Sequence, residues 1–134
     1  MTTADDRPDA APGQPDPALV EFAHQVFDLA RTGDAAQLDQ LIRAGVPVDL
    51  TDARGNTLLM LAAYHGHPAA VGVLLGHGAE PDRTNDRGQT PLAGAVFKGE
   101  AEVVRLLLDA GADPDAGTPS ARSAALMFGH ADLL

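Results

Sequence analysis

Four histidines offer the first chemistry in this chain: His65 and His67 two positions apart, then His77 and His130. Neutral imidazoles suit zinc, but a zinc site needs ligands that converge and a second shell that orients them. His67 and His130 each follow a glycine and read as helix-start residues. His65 reads as exposed, and His77 falls near a helix end, where a cation complements the dipole. No metal site is expected. Asp113-Pro114-Asp115-Ala116-Gly117 imitates the opening of a calcium loop, yet the glutamate such a loop requires would fall at Ala124. It reads as a turn. Ser120 and Ser123 lack a partnered His/Asp set, cysteine is absent, and no Gly-Lys-Ser/Thr phosphate-binding pattern occurs. No catalytic residue and no cofactor is expected, and the chain does not read as an enzyme.

The elements that would position such residues follow a period. Gly55-Asn56-Thr57 through Gly66-His67 is answered 33 residues later by Gly88-Gln89-Thr90 through Gly99-Glu100. Val71 with Leu74-Leu75 and Gly78-Ala79 is answered by Val104 with Leu107-Leu108 and Gly111-Ala112 at the same step. A fixed period of this length means stacked supersecondary units, each packing only on its neighbours. The chain therefore reads as one solenoid, and 134 residues hold about four such units.

Local chemistry gives each position a reason. Thr57 and Thr90 are placed as N-caps, and Pro91 follows at the first helical position. Ala62, Ala63, Gly94 and Ala95 let the short first helix pack closely. Gly66 and Gly99 suit a tight turn, and Gly78 and Gly111 end the second helix. The Leu pairs are expected to bury between units. The 82–87 stretch and its counterparts turn back as extended hairpins. Upstream, Leu19, Phe22, Val26 and Leu29 recur as one helix face, Asp34 with Gln37 forms a capping box, and Gly45 stops a second helix carrying Leu38, Leu41 and Ile42.

The division that results is a disordered, acidic, proline-rich tail at 1–17, then a repeat domain at 18–134. Within it lie a degenerate capping repeat at 18–49, full repeats at 50–82 and 83–115, and a shortened fourth at 116–134. The fourth needs a 30-residue step from Gly99 to Gly129 and stops before its Leu pair. Either the natural chain continues past Leu134 or this end is frayed.

These residues resemble the ankyrin repeat family. Asp86-Arg87-Gly88-Gln89-Thr90-Pro91-Leu92 is similar to the opening of its repeats, and Ala62-Ala63-Tyr64-His65-Gly66-His67 to their inner turn. The resemblance covers about 19–134 and is strongest over 50–115. It implies an all-α solenoid of stacked helix–loop–helix units with protruding hairpin fingers, and protein–protein binding without catalysis. Two departures stand out: Leu58 replaces the family's proline, and Met60 and Ala93 replace its histidine. Those histidines resemble hydrogen-bonding braces of the hairpins, so that brace is missing here.

The residues before each inner-turn glycine are Arg31-Thr32, Tyr64-His65, Phe97-Lys98 and Met127-Phe128. Register stacks them along the concave side, with Tyr64, Phe97 and Met127 at one position. Two readings stay open: the large side chains cover the inner helices, or they form a binding hot spot. In the second, Tyr64, His65, Phe97, Lys98, Met127 and Arg31 make the row, and Arg54, Asn56, Arg87 and Gln89 its polar rim.

The formal charge is −10, from nine Lys+Arg against nineteen Asp+Glu. Phosphate backbones and anionic membranes repel such a surface, so neither is an expected partner. The acidity serves solubility first, with a preference for a basic partner as its second reading. No segment approaches the roughly 20 apolar residues of a membrane span, and the 1–17 stretch is no signal peptide. A cytoplasmic monomer that binds a protein is expected, with weak self-association through the C-terminal end. An assembly role and an inhibitor or immunity-type role against a basic enzyme are the alternatives. One lysine beside eight arginines points to a GC-rich bacterial source.

Overall fold

The computed structural model describes residues 16–134, so most of the 1–17 tail lies outside the described residues. Its last two positions are helical boundary residues. Asp16 accepts the Ala18 N–H at 2.8 Å, and Pro17 takes the first position of α1 (Pro17–Thr32). An acceptor at the cap and a preset φ just inside it fix this helix start. The helices that follow are α2 (Ala35–Arg43), α3 (Leu58–Tyr64), α4 (Pro68–Gly76), α5 (Pro91–Lys98), α6 (Ala101–Asp109) and α7 (Ala121–Phe128). A 3-10 turn, Ala131–Leu133, comes last. Among the described residues the only β feature is an isolated bridge between Thr51 and Thr57.

The helices form two layers. α1, α3, α5 and α7 pack in succession as the inner layer, and α2, α4 and α6 as the outer one. Between them lies one apolar core. Leu58, Leu59, Ala62 and Ala63 enter it from α3, Leu92, Ala95 and Val96 from α5, and Val71, Leu74, Val103, Val104 and Leu107 from the outer helices. Thr57, Thr90 and Ser120 cap the inner helices, each hydroxyl accepting a backbone N–H three residues on at 3.1 Å. Thr57 and Thr90 are buried, so these bonds are required rather than decorative.

Three local expectations are corrected. In α1 the buried residues are Val26, Phe27 and Ala30, while Leu19 and Phe22 of the expected face are exposed. At 16 residues α1 is far longer than the seven-residue α3 beside it, so its opening turns overrun the stack. Of the Leu pairs, only Leu74 and Leu107 are fully buried. Leu75, Leu108, Leu41 and Ile42 are half-buried against the core, and in α2 the buried side chain is Leu38. The box at Asp34 is one-sided. Its carboxylate accepts the Gln37 N–H, but the Gln37 side chain donates to that same carboxylate at 2.8 Å. The Asp34 N–H is already committed to the Leu29 carbonyl.

What joins one helix pair to the next is a recurring contact at the inner turn. Gly33, Gly66 and Gly99 all have left-handed backbones, with φ of 81°, 74° and 72°. Each is covered by a side chain of the following unit. A Cβ on Gly33 would stand 2.5 Å from His67, one on Gly66 2.6 Å from Glu100, and one on Gly99 3.2 Å from His130. Two of the covering residues also bond backward. His67 Nε2 donates to the Arg31 carbonyl and His130 Nδ1 to the Val96 carbonyl, both at 2.6 Å. Reading them as helix-start residues was incomplete, since neither His67 nor His130 makes a side-chain cap bond. At the opposite edge, Asp49 and Asp82 accept the N–H of Glu80 and Asp113, again one unit onward. Between α2 and the end of α4, His77 Nε2 meets Asp39 Oδ1 at 2.6 Å. That bond, with Arg43, holds the Asp39 carboxyl below its ordinary range.

The glycines in these two environments should respond oppositely to alanine. Gly66→Ala places a Cβ on a left-handed backbone and against Glu100, which is expected to cost about 1–3 kcal/mol. Gly72 lies inside α4 with open space around it, so Gly72→Ala should stabilise by about 0.5–1 kcal/mol. Urea denaturation of the two variants checks both signs.

Candidate functional site

The fingers come first, because they set the rim. In the 52–56 hairpin, Asp52 Oδ1 accepts the N–H of Arg54 and of Asn56, both at 2.9 Å, and Oδ2 takes Asn56 Nδ2 at 3.2 Å. In the 85–89 hairpin, Asn85 Oδ1 accepts the N–H of Arg87 and Gln89, both at 3.0 Å. The two are stapled together. Asn85 Nδ2 donates to Asn56 Oδ1 at 2.9 Å, and the Asp86 N–H to the Arg54 carbonyl at 3.0 Å. The brace lost with the family's histidines is thus supplied by Asp52 and Asn85. Arg54 and Arg87 ride exposed at the tips, and Gln89 is exposed at its base. Asn56 is half-buried and spends both ends of its amide inside the fingers, so it shapes the rim rather than reaching outward.

Beside the fingers the inner helices carry a row of rings. Tyr64 and Phe97 stack with centroids 6.5 Å apart and planes 9° from parallel. Gly94 is not required for this approach, since a Cβ there would make ordinary contacts, 3.5 Å to the Tyr64 ring and 3.8 Å to Met60 Sδ. His65 stands edge-on to Tyr64 at 5.4 Å, and the Lys98 ammonium rests 5.0 Å above the Tyr64 ring, in cation–π range. The third ring is Phe128, edge-on to Phe97 at 4.8 Å. Strict register had given that place to Met127, which is 66% exposed. Phe128 occupies the Lys98 position of its helix, and an aromatic ring there reaches back to Phe97.

Between this row and the fingers lies a groove of about 830 Å³. Seven of the ten residues expected at the site line it: Arg31, Arg54, Asn56, Tyr64, His65, Arg87 and Gln89. Phe97 and Lys98 join through Tyr64, while Met127 is not among the lining residues. Sequence reasoning missed His24 and Phe27, which α1 brings to the wall, and Asp52, Asn85 and Asp86 from the fingers. The repeated Asp and Asn four residues before Asn56 and Gln89 were the available signal for Asp52 and Asn85. Nothing in the period pointed to His24.

The His65 imidazole is held below its ordinary value of 6.5, first by partial burial and then by His67, Arg31 and Lys98 around it. A base with its pKa lowered by folding binds fewer protons than the unfolded chain. Its contribution to stability is therefore complete above pH 6.5 and is lost as pH falls below that. In an NMR titration the His65 ring protons should show a midpoint below 6.5, and Lys98→Ala should move it upward.

Among the described residues no three His, Asp or Glu side chains are grouped to hold a metal ion, and no helix is long and apolar enough to cross a membrane. A family model described as ankyrin repeats, in three copies, matches residues 26–118. Over 51 residues the chain is 53% identical to an ankyrin repeat protein of Pseudomonas aeruginosa, a stretch that is 38% of this chain and 30% of that one. Over 47 residues it is 49% identical to ankyrin repeat domain-containing protein 29 of Homo sapiens, covering 34% of this chain and 16% of that one. The match thus spans less than a third of either relative's length. Ankyrin repeats are in general non-enzymatic modules for protein–protein interaction. On the match over 26–118, and with paired helices stacked at a 33-residue period, this chain belongs to the ankyrin repeat family.

Proposed function

We propose that this chain is a non-enzymatic binding module that holds a folded protein against its concave face, with the ring row as anchor and the finger tips as rim. One observation carries the reading. Tyr64 and Phe97 stay 39% and 45% exposed although the stack has buried apolar surface nearly everywhere else along its middle. Half-exposed aromatic rings beside a groove are the side chains that dominate interface energetics once a partner covers them. The preformed fingers lower the ordering cost of docking, because their backbones are already held by Asp52 and Asn85.

A second reading has its own observation. On α7, Leu126 and Met127 are 72% and 66% exposed, and Leu134 adds to the same end of the stack. Such a surface suits end-to-end assembly of copies. Sedimentation decides this branch: a strict monomer at high concentration removes it.

For the binding reading, a partner is isolated by affinity capture and then titrated against the Tyr64→Ala, Phe97→Ala double variant. Affinity should fall by about thirtyfold or more, the size of a hot-spot loss near 2 kcal/mol. The melting temperature should change little, since the rings are half-solvated in the free chain. Unchanged affinity overturns the site assignment.

A further inference from the structure

We propose that the part of the partner seated in this groove is an acidic loop, rich in Asp and Glu, with an aromatic or aliphatic side chain that lies on the rings. This inference rests on the concave-face reading above and deepens it. Its basis is how charge is distributed in a chain of net −10. Arg31, Arg54 and Arg87 line the groove and Lys98 leans over Tyr64, while the only carboxylates in the lining are Asp52 and Asp86. Asp52 is committed to the finger, where it receives three hydrogen bonds. Arg31 is shared between Asp28 at 2.7 Å and Asp52 at 4.0 Å.

Arg54, Arg87 and Lys98 have no carboxylate partner among the described residues. Away from the groove, Arg43 and Arg122 are paired, with Asp39 and Asp115, while Arg83 and Arg105 stand singly among the described residues, so the groove is set apart by how many cations it gathers and not by their being unpaired. His65 lies among these cations as well: its imidazole is held below its ordinary value first by partial burial and then by His67, Arg31 and Lys98. Acidic side chains gather on the other side of the stack: Glu102 and Asp109 on α6, Asp39 on α2, and Glu80 and Asp113 on the outer loops. Carboxylates at the groove would complete three unpaired cations, and an apolar side chain beside them would cover the Tyr64 and Phe97 faces.

A nucleic acid strand also offers anions and flat rings. It is disfavoured because its many phosphates would meet the field of the whole chain, whereas a short loop meets only the groove. Charge complementarity of this local kind fixes register and partner choice more than raw affinity.

The test uses the full chain, immobilised, and a phage-displayed library of random disulfide-closed loops. Enriched loops should combine Asp or Glu with Phe, Tyr, Trp or Leu. Arg54→Glu with Arg87→Glu should weaken a selected loop by about tenfold or more, with an unchanged melting temperature, and should blunt its salt dependence. The Tyr64→Ala, Phe97→Ala variant should lose the same loop. Neutral or basic loops that are lost in that ring variant would leave the concave site standing and overturn the acidic partner. Loops indifferent to both variants, or no enrichment at all, would overturn the concave site and this inference with it. Tighter binding of a single-stranded oligothymidylate than of any loop would overturn it in favour of a nucleic acid.

Discussion

The contact between each inner-turn glycine and the side chain that covers it fixes the geometry of everything else. Gly33, Gly66 and Gly99 must reverse the chain with positive φ, which glycine alone does at no steric cost. Because they carry no Cβ, His67, Glu100 and His130 can lie directly on them. One residue type thus satisfies two demands at one point, and the spacing between helix pairs follows from it. The inner helices are brought close enough to bury small residues such as Ala62 and Ala95 completely, and the residues just before each glycine are forced into a row. The stacking of Tyr64 on Phe97, nearly parallel, is a consequence of that repeat and not an independent feature.

From the same constraint comes a division of labour. Inside the stack, apolar burial and capped helix ends supply stability, and the buried hydroxyls of Thr57 and Thr90 each accept a backbone N–H. At the fingers, stability is local and polar, through Asp52, Asn85 and the bond from Asn85 to Asn56. The groove lies where these two systems meet. Its floor is set by packing and its rim by hydrogen bonds, so the two can vary without disturbing each other. Fold alone assigns no partner, and the specific reading comes from which side chains stand at that junction.

What was legible in the sequence was what depends on near neighbours. The N-caps at Thr57 and Thr90 and the turn glycines are decided within a few residues, and the period multiplied each signal. The misread details depend on distant ones. Periodicity offered one face on α1, with Leu19, Phe22, Val26 and Leu29, and it is the packing of α1 on α3 and α2 that buries Val26, Phe27 and Ala30 instead. The backward bonds of His67 and His130 span 36 and 34 residues, and no local rule gives them. Register placed both Met127 and Phe128 at the end of the row, and which of them meets Phe97 ring to ring, here Phe128, is decided by side-chain reach and not by Cα position. His24 was invisible as a groove residue for the same reason: α1 lies outside the clean period.

The net charge says least about the contact surface. A total of −10 reads first as solubility and only second as a preference for a basic partner, and electrostatic recognition at a contact depends on the charges within about a Debye length, near 8 Å at physiological salt. Over that distance the groove presents Arg31, Arg54, Arg87 and Lys98 beside Asp52 and Asp86, and the outer helices present Asp39, Glu102 and Asp109 beside Arg43 and Arg105. A net charge of −10 repels polyanions at long range, while the cations of the groove act only on what is already close. Both properties coexist because the stack is two layers thick, with an apolar core between the acidic side and the cationic one. A fold that exposes two chemically distinct faces can carry one sign for solubility and the other for recognition.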